Sequence, residues 1–414
     1  MEIRMYDVNF GESILYKNEG DLLLVDCGSR SGNKCSSVYQ EICDEIRSTN
    51  AVKANLLISH FDEDHYNGLF DMLNNSERRI FDEIYLPLYI WAENRTASTA
   101  AIMIDTITTW AYLSKIGNKK LSRLQRLFAN LPQLVESPLK IKCLGKGHEI
   151  CLGNHKFKVI WPECNPYISS INASGYSDKL KDILSITEDN EIETAVNDYI
   201  EAFIALYNFY TANSTHEATE SAPKINRSNE GDFDSNIELL SKWNQLQSDL
   251  EDAYAKLEGT PQIDANTLTP ETLITINSIC SALIKNMNAC SIVFHSKDIF
   301  ACGDITKSVM KYLNMQGEFC ENYKIVKAPH HGTSSYFSKS IPQAHMYMIS
   351  NSGFSHQNWK IDNRYSQNTD SICCTNNNRN RCKAAKMCSH CNTAPKNGLR
   401  KIIKKGGSIY EIII

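Results

Sequence analysis

The stretch from Leu56 to Leu69 reads LLISHFDEDHYNGL. An apolar run ends at Ser59, and His60, Asp62, Glu63, Asp64 and His65 then fall within six residues. Acids this close repel one another, so in a folded site they need a counter-charge. Solvent supplies it on an exposed loop; otherwise a bound cation must. The pattern H-x-D-x-D-H, placed directly after a strand, suits the second case. His60 and Asp62 can face one position, while Asp64 and His65, where a helix begins, face another. Two cations held side by side in this way would clamp a substrate oxygen and acidify a water between them. Such a centre needs ligands from elsewhere in the chain. Asp304 in ACGDI and His330 in KAPHHG are available, each at the end of an apolar strand.

The elements that must position these residues can be read from periodicity. EIRMYDVNF and SILYKNEGDLLLVDCG read as strands punctuated by turns at Gly11 and Gly20, and residues 35–49 as a helix. ANLLISH is a short buried strand, with a helix over 66–74 and another strand at IFDEIYLPLY. Helical spacing covers 96–135, and KIKCLGKGHEICLGNHKFKVIWP reads as strands with glycine turns. After residue 285 the strand pattern resumes in CSIVFHSKDIFACGDI, a helix near 306–315, YKIVKAPHHGTSS, AHMYMISNSGFSH and a terminal GGSIYEIII. The chemistry falls at strand ends throughout.

The intervening residues 165–285 break this rhythm. They hold amphipathic helices around a polar stretch, TANSTHEATESAPKINRSNEGD, and carry 20 acidic against 7 basic residues. The expected organisation is therefore 1–164, an inserted acidic helical segment 165–285 with a flexible polar middle, and 286–414. Residues 371–410 invert the charge, with nine Lys or Arg and no acid. Of the 15 cysteines, the first ten are scattered, as suits small buried hydrophobes rather than a disulfide framework. The last five, Cys373, Cys374, Cys382, Cys388 and Cys391, are clustered. The C-x-x-C at 388–391, with Cys382 and either Cys373 or Cys374, could hold a structural Zn²⁺; the alternative is a loop of thiols. The N-terminus does not resemble a signal peptide and no apolar run is long enough to span a bilayer, so a cytoplasmic protein without membrane contact is expected.

Several stretches, in order, resemble motifs of the metallo-β-lactamase superfamily, in the branch typified by the C-terminal domain of the DNA-uptake channel protein ComEC. HFDEDHYNG resembles the signature loop H-x-H-x-D-H, with Asp62 where most members carry His, as that branch commonly does. DVNFGESIL resembles its opening D-V-G-Q-G-D-A, and LLLVDCG its L-I-D-x-G. NACSIVF, FACGDI, APHHGTS and ISNSGFSH resemble the later N-x-x-S-L-V-L, L-L-T-G-D, V-P-H-H-G-S and S-x-G-x-N…G-H segments. The resemblance spans residues 5 to 356 apart from the acidic segment. It implies an α/β fold, the αββα metallo-β-lactamase sandwich, here with an acidic helical insertion and a Cys-rich basic segment at 371–405.

The resemblance also implies a ligand set. His60 and Asp62 would hold one ion and Asp64 and His65 the other, with Asp304 bridging and His330 completing the set. A further histidine that many members place before the bridging Asp has no clear match; His148 and His155 lie in the interval. Two divalent ions, Zn²⁺ or Mn²⁺, are expected, since the carboxylate in place of an imidazole hardens the site. The implied reaction is hydrolysis by a metal-bound hydroxide that Asp64 orients. His331 or His356 would supply a proton to the leaving group, or else fix a ligand. Asn288 and Ser291 would support the ligands, and Asp26 would orient the loop.

The branch points to a phosphodiesterase or nuclease. Hydrolysis of a small ester, thioester or lactone, and a regulatory protein that keeps the metal fold to bind a partner, are the alternatives. The basic segment 371–405 is a candidate contact for nucleic acid or nucleotide, and the helical insertion for a partner protein.

Overall fold

The computed structural model describes residues 1–30, 35–48, 52–75, 79–88, 124–163, 190–215, 231–260, 266, 269–351, 361–369, 371–375, 399–404 and 407–414. The chain opens with β1 (Glu2–Tyr6), β2 (Ile14–Asn18) and β3 (Asp21–Val25), then α1 (Ser36–Ser48) and β4 (Ala54–Leu57). The single turn α2 (Glu63–Tyr66) and α3 (Gly68–Asn75) lead to β5 (Glu83–Pro87), and α4 (Leu124–Asn130) leads to β6 (Ile141–Leu144). β7 (Glu149–Leu152) and β8 (His155–Trp161) precede three helices, α5 (Asn190–Thr215), α6 (Gly231–Gly259) and α7 (Pro270–Ala289). Then come β9 (Val293–His295), β10 (Ile299–Ala301), α8 (Lys307–Met315), β11 (Asn322–Lys327), β12 (Gln343–Ser350) and β13 (Ile372–Cys374). The hairpin β14 (Leu399–Lys404) and β15 (Gly407–Ile413) closes the chain against β1.

Among the described residues these strands form two mixed sheets. One has eight strands in the order β14-β15-β1-β2-β3-β4-β5-β6, the other seven in the order β13-β12-β11-β10-β9-β8-β7. Each is antiparallel on one side and parallel on the other. β3 to β6 run parallel in the first sheet, and β10 to β13 in the second. The apolar runs LLLV, ANLL and IYLP are buried on both faces, as parallel central strands require.

Three apolar layers separate the elements. Alternate side chains of both sheets meet in one core, with Ile14, Tyr16, Leu23 and Leu57 from the first sheet and Phe157, Phe294, Ile325 and Tyr347 from the second. The opposite faces of the first sheet, through Leu22, Leu24, Leu56 and Ile84, pack under Val38 and Ile42 of α1 and under Tyr199, Phe203 and Tyr207 of α5. On the outside of the second sheet, Val293, Phe300 and Val326 pack under Val309, Met310 and Leu313 of α8. The order is thus helices, sheet, sheet, helices. It follows from the period-2 alternation of strands whose two faces are both apolar.

The chain's two halves do not map one to one onto the sheets' loops. β7 and β8 already belong to the second sheet, and the segment carrying α5 to α7 joins β8 to β9, which are direct antiparallel neighbours. The aromatic ring of Phe128 on α4 ties α5 to the first sheet, with ring centroids 4.7 Å from Phe203 and 5.5 Å from Phe61. Residues 399–404, within the basic segment 371–405, form β14, at the edge of the first sheet among the described residues.

Phe128 is fully buried. Replacing it with alanine should lower unfolding stability by about 3–5 kcal/mol in urea denaturation. A midpoint unchanged from wild type would show that the aromatic cluster does not hold α4 and α5 to the sheet.

Candidate metal centre

The loops that follow β3, β4, β10, β11 and β12 converge where the parallel strands of the two sheets end, the usual place for a site in such sheets. They are brought together by backbone contact. Glu12 N–H donates to Asp64 O at 3.0 Å, Gly28 N–H to Glu12 O at 3.1 Å and Cys27 N–H to His65 O at 2.7 Å. A Cβ on Gly28 would lie 2.4 Å from the carbonyl carbon of Asp64, and one on Gly11 would lie 2.0 Å from Gly28 O. The glycines of FGE and CGS are therefore required by close packing of three backbone segments, which sets the height of the Asp64–His65 turn.

Asp26 governs the orientation of the first loop. One carboxylate oxygen accepts from Ser59 N–H at 2.7 Å; the other accepts from Ser59 Oγ at 2.7 Å and lies 2.8 Å from His65 Nδ1. Since the single hydroxyl proton of Ser59 goes to Asp26, its oxygen must accept from His60 Nδ1, 3.1 Å away. His60 therefore carries its proton on Nδ1 and presents a bare Nε2, which is buried with no hydrogen-bond partner among the described residues. His65 likewise donates Nδ1–H to Asp26, and its Nε2 faces Asp304 Oδ2 at 3.3 Å. His331 donates Nδ1–H to Asn351 O at 3.0 Å, and its Nε2 lies 3.3 Å from Asp64 Oδ2 and 3.7 Å from Asp304 Oδ2.

Three buried imidazoles thus have Nδ1 held by oxygen acceptors, and two of them, His65 and His331, turn Nε2 toward carboxylates. That is how proteins present histidine to a metal ion. Glu12, His65, Asp304 and His331 each offer a ligand atom within 4.8 Å of the others, all four buried. The chemistry of the donor set fits a divalent ion.

The electrostatics agree. Burial opposes charge on His65, yet the Asp304 and Asp26 carboxylates hold its imidazole well above the usual histidine range. Carboxylates here favour positive charge at the position of that ring. Burial, reinforced by His65, pushes His60 well below the usual range, so it is a neutral lone-pair donor. Asp304 and Asp64 resist the upward push of burial. His65 and Lys327 hold Asp304 down, and the hydrogen bond to His331, His65 and Arg30 hold Asp64 down. Asp62 is raised to about 6 by burial and by repulsion from Asp64, against the pull of Arg30.

The expected ligands are not all deployed alike. Asp62 caps α2 through Glu63 N–H at 2.9 Å and pairs with Arg30 at 2.8 Å, a guanidinium that also reaches Asp64 at 3.1 Å. The structure places the adjacent histidines differently. His331 joins the buried group, whereas His330 stands at its rim, 3.8 Å from Asp304 Oδ2 and stacked on Tyr336 with centroids 3.9 Å apart. Both have positive φ, 47° and 56°, a conformation that side chains with a Cβ adopt at a cost and that the surrounding contacts must enforce.

His148 bonds Gly145 O within its turn and His155 packs on Phe157, so neither approaches the group. Ser291 Oγ accepts from Asp304 N–H at 3.1 Å and steadies that loop, and Asn288 bonds Tyr336. Cys373 and Cys374 are buried on opposite faces of β13, one in each core of the second sheet. His356, Cys382, Cys388, Cys391 and most of segment 371–405 lie outside the described residues.

Glu12, Arg30 and Lys327 were not singled out in the sequence. Each had a signal: a lone acid in the turn FGES, a base directly after the CGS turn, and a lysine ending the apolar strand YKIVK. Beside the group lies a cavity of about 600 Å³ lined by Arg30, Lys285 and Lys307, the hydroxyls of Thr306, Ser308, Ser335 and Tyr336, and by Asp62 and His330.

No protein-family model matches the sequence, and no curated protein matches it. Among solved structures it is similar to the metallo-β-lactamase SMB-1 bound to 2-mercaptoethanesulfonate, at 17% identity over 38% of this chain and 52% of that chain, with a TM-score of 0.19. The match thus spans about half the length of that structure. The two mixed sheets with helices on their outer faces have the αββα layering that the sequence resemblance implies. No helix among the described residues is long and apolar enough to cross a membrane.

Gly28→Ala should force the Asp64–His65 turn outward and lower stability by about 1–3 kcal/mol. Thermal or urea denaturation checks this; a wild-type midpoint would show that the turn yields freely.

Proposed function

We propose that the protein is a metal-dependent hydrolase of the metallo-β-lactamase fold that cleaves phosphodiesters. The observation that carries this reading is the buried group in which the Nε2 atoms of His65 and His331 face the carboxylates of Asp304 and Asp64, with the neutral imidazole of His60 beside His65. A divalent ion held there would supply Lewis acidity and acidify a water. His65, His331, Asp64 and Asp304 would hold the first ion, and His60 with Asp62 would serve the second that the sequence resemblance implies.

The chain's own residues do the rest. Asp26 fixes His65 and, through Ser59, His60. Asn351 fixes His331. Lys285 and Lys307 give the adjoining cavity two positive charges beyond the Arg30–Asp62 ion pair. Such a lining attracts an anionic ester and offers hydroxyl donors to its oxygens, which favours phosphodiesters over neutral lactones and thioesters. His330 sits at the cavity wall, with its imidazole lowered to about 4 by burial despite Asp304, and so is neutral near pH 7. In the same reading, segment 371–405 guides a nucleic-acid backbone and the α5–α7 segment offers a partner surface.

The test is hydrolysis of bis-p-nitrophenyl phosphate and of single- and double-stranded DNA with Mn²⁺ or Zn²⁺, comparing wild type with Asp304→Asn and His331→Ala. Metal-dependent cleavage reduced at least about 100-fold in both variants is expected. Cleavage of p-nitrophenyl acetate or a lactone with phosphodiesters untouched would overturn the substrate class. Failure of the folded, metal-loaded protein on all of them would overturn the hydrolase.

A further inference from the structure

The centre contains a cation of its own. Lys327, at the last position of β11, has its side chain 2% exposed. Its Nζ lies 2.8 Å from Glu12 Oε2, 3.3 Å from Asp304 Oδ1 and 2.8 Å from Gly303 O. An ammonium this deeply buried is tolerated only with such partners around it.

The division of Asp304 is informative. Every imidazole near it, from His65, His330 and His331, approaches Oδ2. Lys327 takes Oδ1. One carboxylate is therefore split between a fixed ammonium on one side and the imidazole cluster on the other. Glu12 is placed close enough to His65, Asp304 and His331 to count as a ligand candidate. Yet the same oxygen, Oε2, that lies 3.7 Å from His331 Nδ1 is the one paired at 2.8 Å with Lys327.

We propose that Lys327 is a resident cation that occupies the position between Glu12 and Asp304, keeps Glu12 out of the metal's ligand set and restricts Asp304 to a single ligating oxygen. Lys327 is thus a positioning residue. Without its ammonium, Glu12 Oε2, Asp304 Oδ1 and Gly303 O would face one another as three oxygens suited to a hard divalent ion. The inference rests on the metal-centre reading above, and its test separates the two.

The measurement is Mn²⁺ and Zn²⁺ content per folded chain by elemental analysis, with affinity from competition against a chromophoric chelator. Glu12→Gln should keep the wild-type ion number and bind within about threefold of wild type, while Asp304→Asn should lose affinity by about 100-fold or more. Lys327→Met should take up one more divalent ion per chain than wild type. The double variant Glu12→Gln/Lys327→Met, which removes both charges together and guards against a single variant that does not fold, should return to the wild-type number. Loss of the ion in Glu12→Gln to the extent seen in Asp304→Asn would make Glu12 a ligand and overturn the proposal. So would a Lys327→Met protein that folds and binds the wild-type number. A wild-type chain that binds no divalent ion would overturn the metal centre itself.

Discussion

Four carboxylates, from Glu12, Asp26, Asp64 and Asp304, are buried at the seam between the two sheets, none more than 2% exposed. Negative charge at that density cannot be left uncompensated away from water. Every nearby feature answers it. Lys327 serves Glu12 and Asp304, Arg30 serves Asp62 and Asp64, and Asp26 is satisfied by Ser59 and His65. The partners are drawn from both sheets. Asp64 and His65 of the first meet His331 and Asp304 of the second, and Glu12 of the first meets Lys327 of the second. The apolar core aligns the sheets broadly, and these polar contacts fix their relative register at the edge where chemistry would occur.

Holding such a cluster in place demands a backbone that cannot relax. The turn bearing Asp64 and His65 rests directly on Gly28, which in turn rests on Gly11. Asp26, His330 and His331 all adopt positive φ. Conformations of this kind persist only where many contacts enforce them, and here those contacts are the hydrogen bonds that set which ring nitrogen points inward. Strain in the chain and orientation of the imidazoles are two aspects of one arrangement.

Much of this was legible beforehand. The alternation of LLLV, ANLL and the later strands placed His60, Asp304 and the histidine pair at strand ends, because a strand's period is strict and its termination by polar residues is abrupt. What periodicity could not show is which of two adjacent histidines turns inward. That choice depends on the left-handed bend at 330–331 and on Asn351, some twenty residues further on. Nor could it reveal Lys327. A lysine closing an apolar strand reads as a solvated end until the facing sheet supplies Glu12. The edge strand β14 escaped notice because its basic residues resemble the polar segment before it, and only pairing with β15 distinguishes them.

The place where the acidic helices enter the chain has a topological consequence. β8 and β9 are hydrogen-bonded neighbours, so a tight turn of about two to five residues would connect them equally well. The segment leaves and re-enters the sheet at nearly the same point, and the ladder on either side is indifferent to its length. Loop-closure entropy grows only with the logarithm of length, so lengthening this detour is cheap for the rest of the fold. Its return end is anchored. α7 delivers Lys285 and Asn288 to the cavity wall, and Ala289 O accepts from Trp161 Nε1 at 2.7 Å. The detour can therefore change length ahead of α7 while its last turns stay anchored, so that what surrounds the centre can vary without re-registering a single strand.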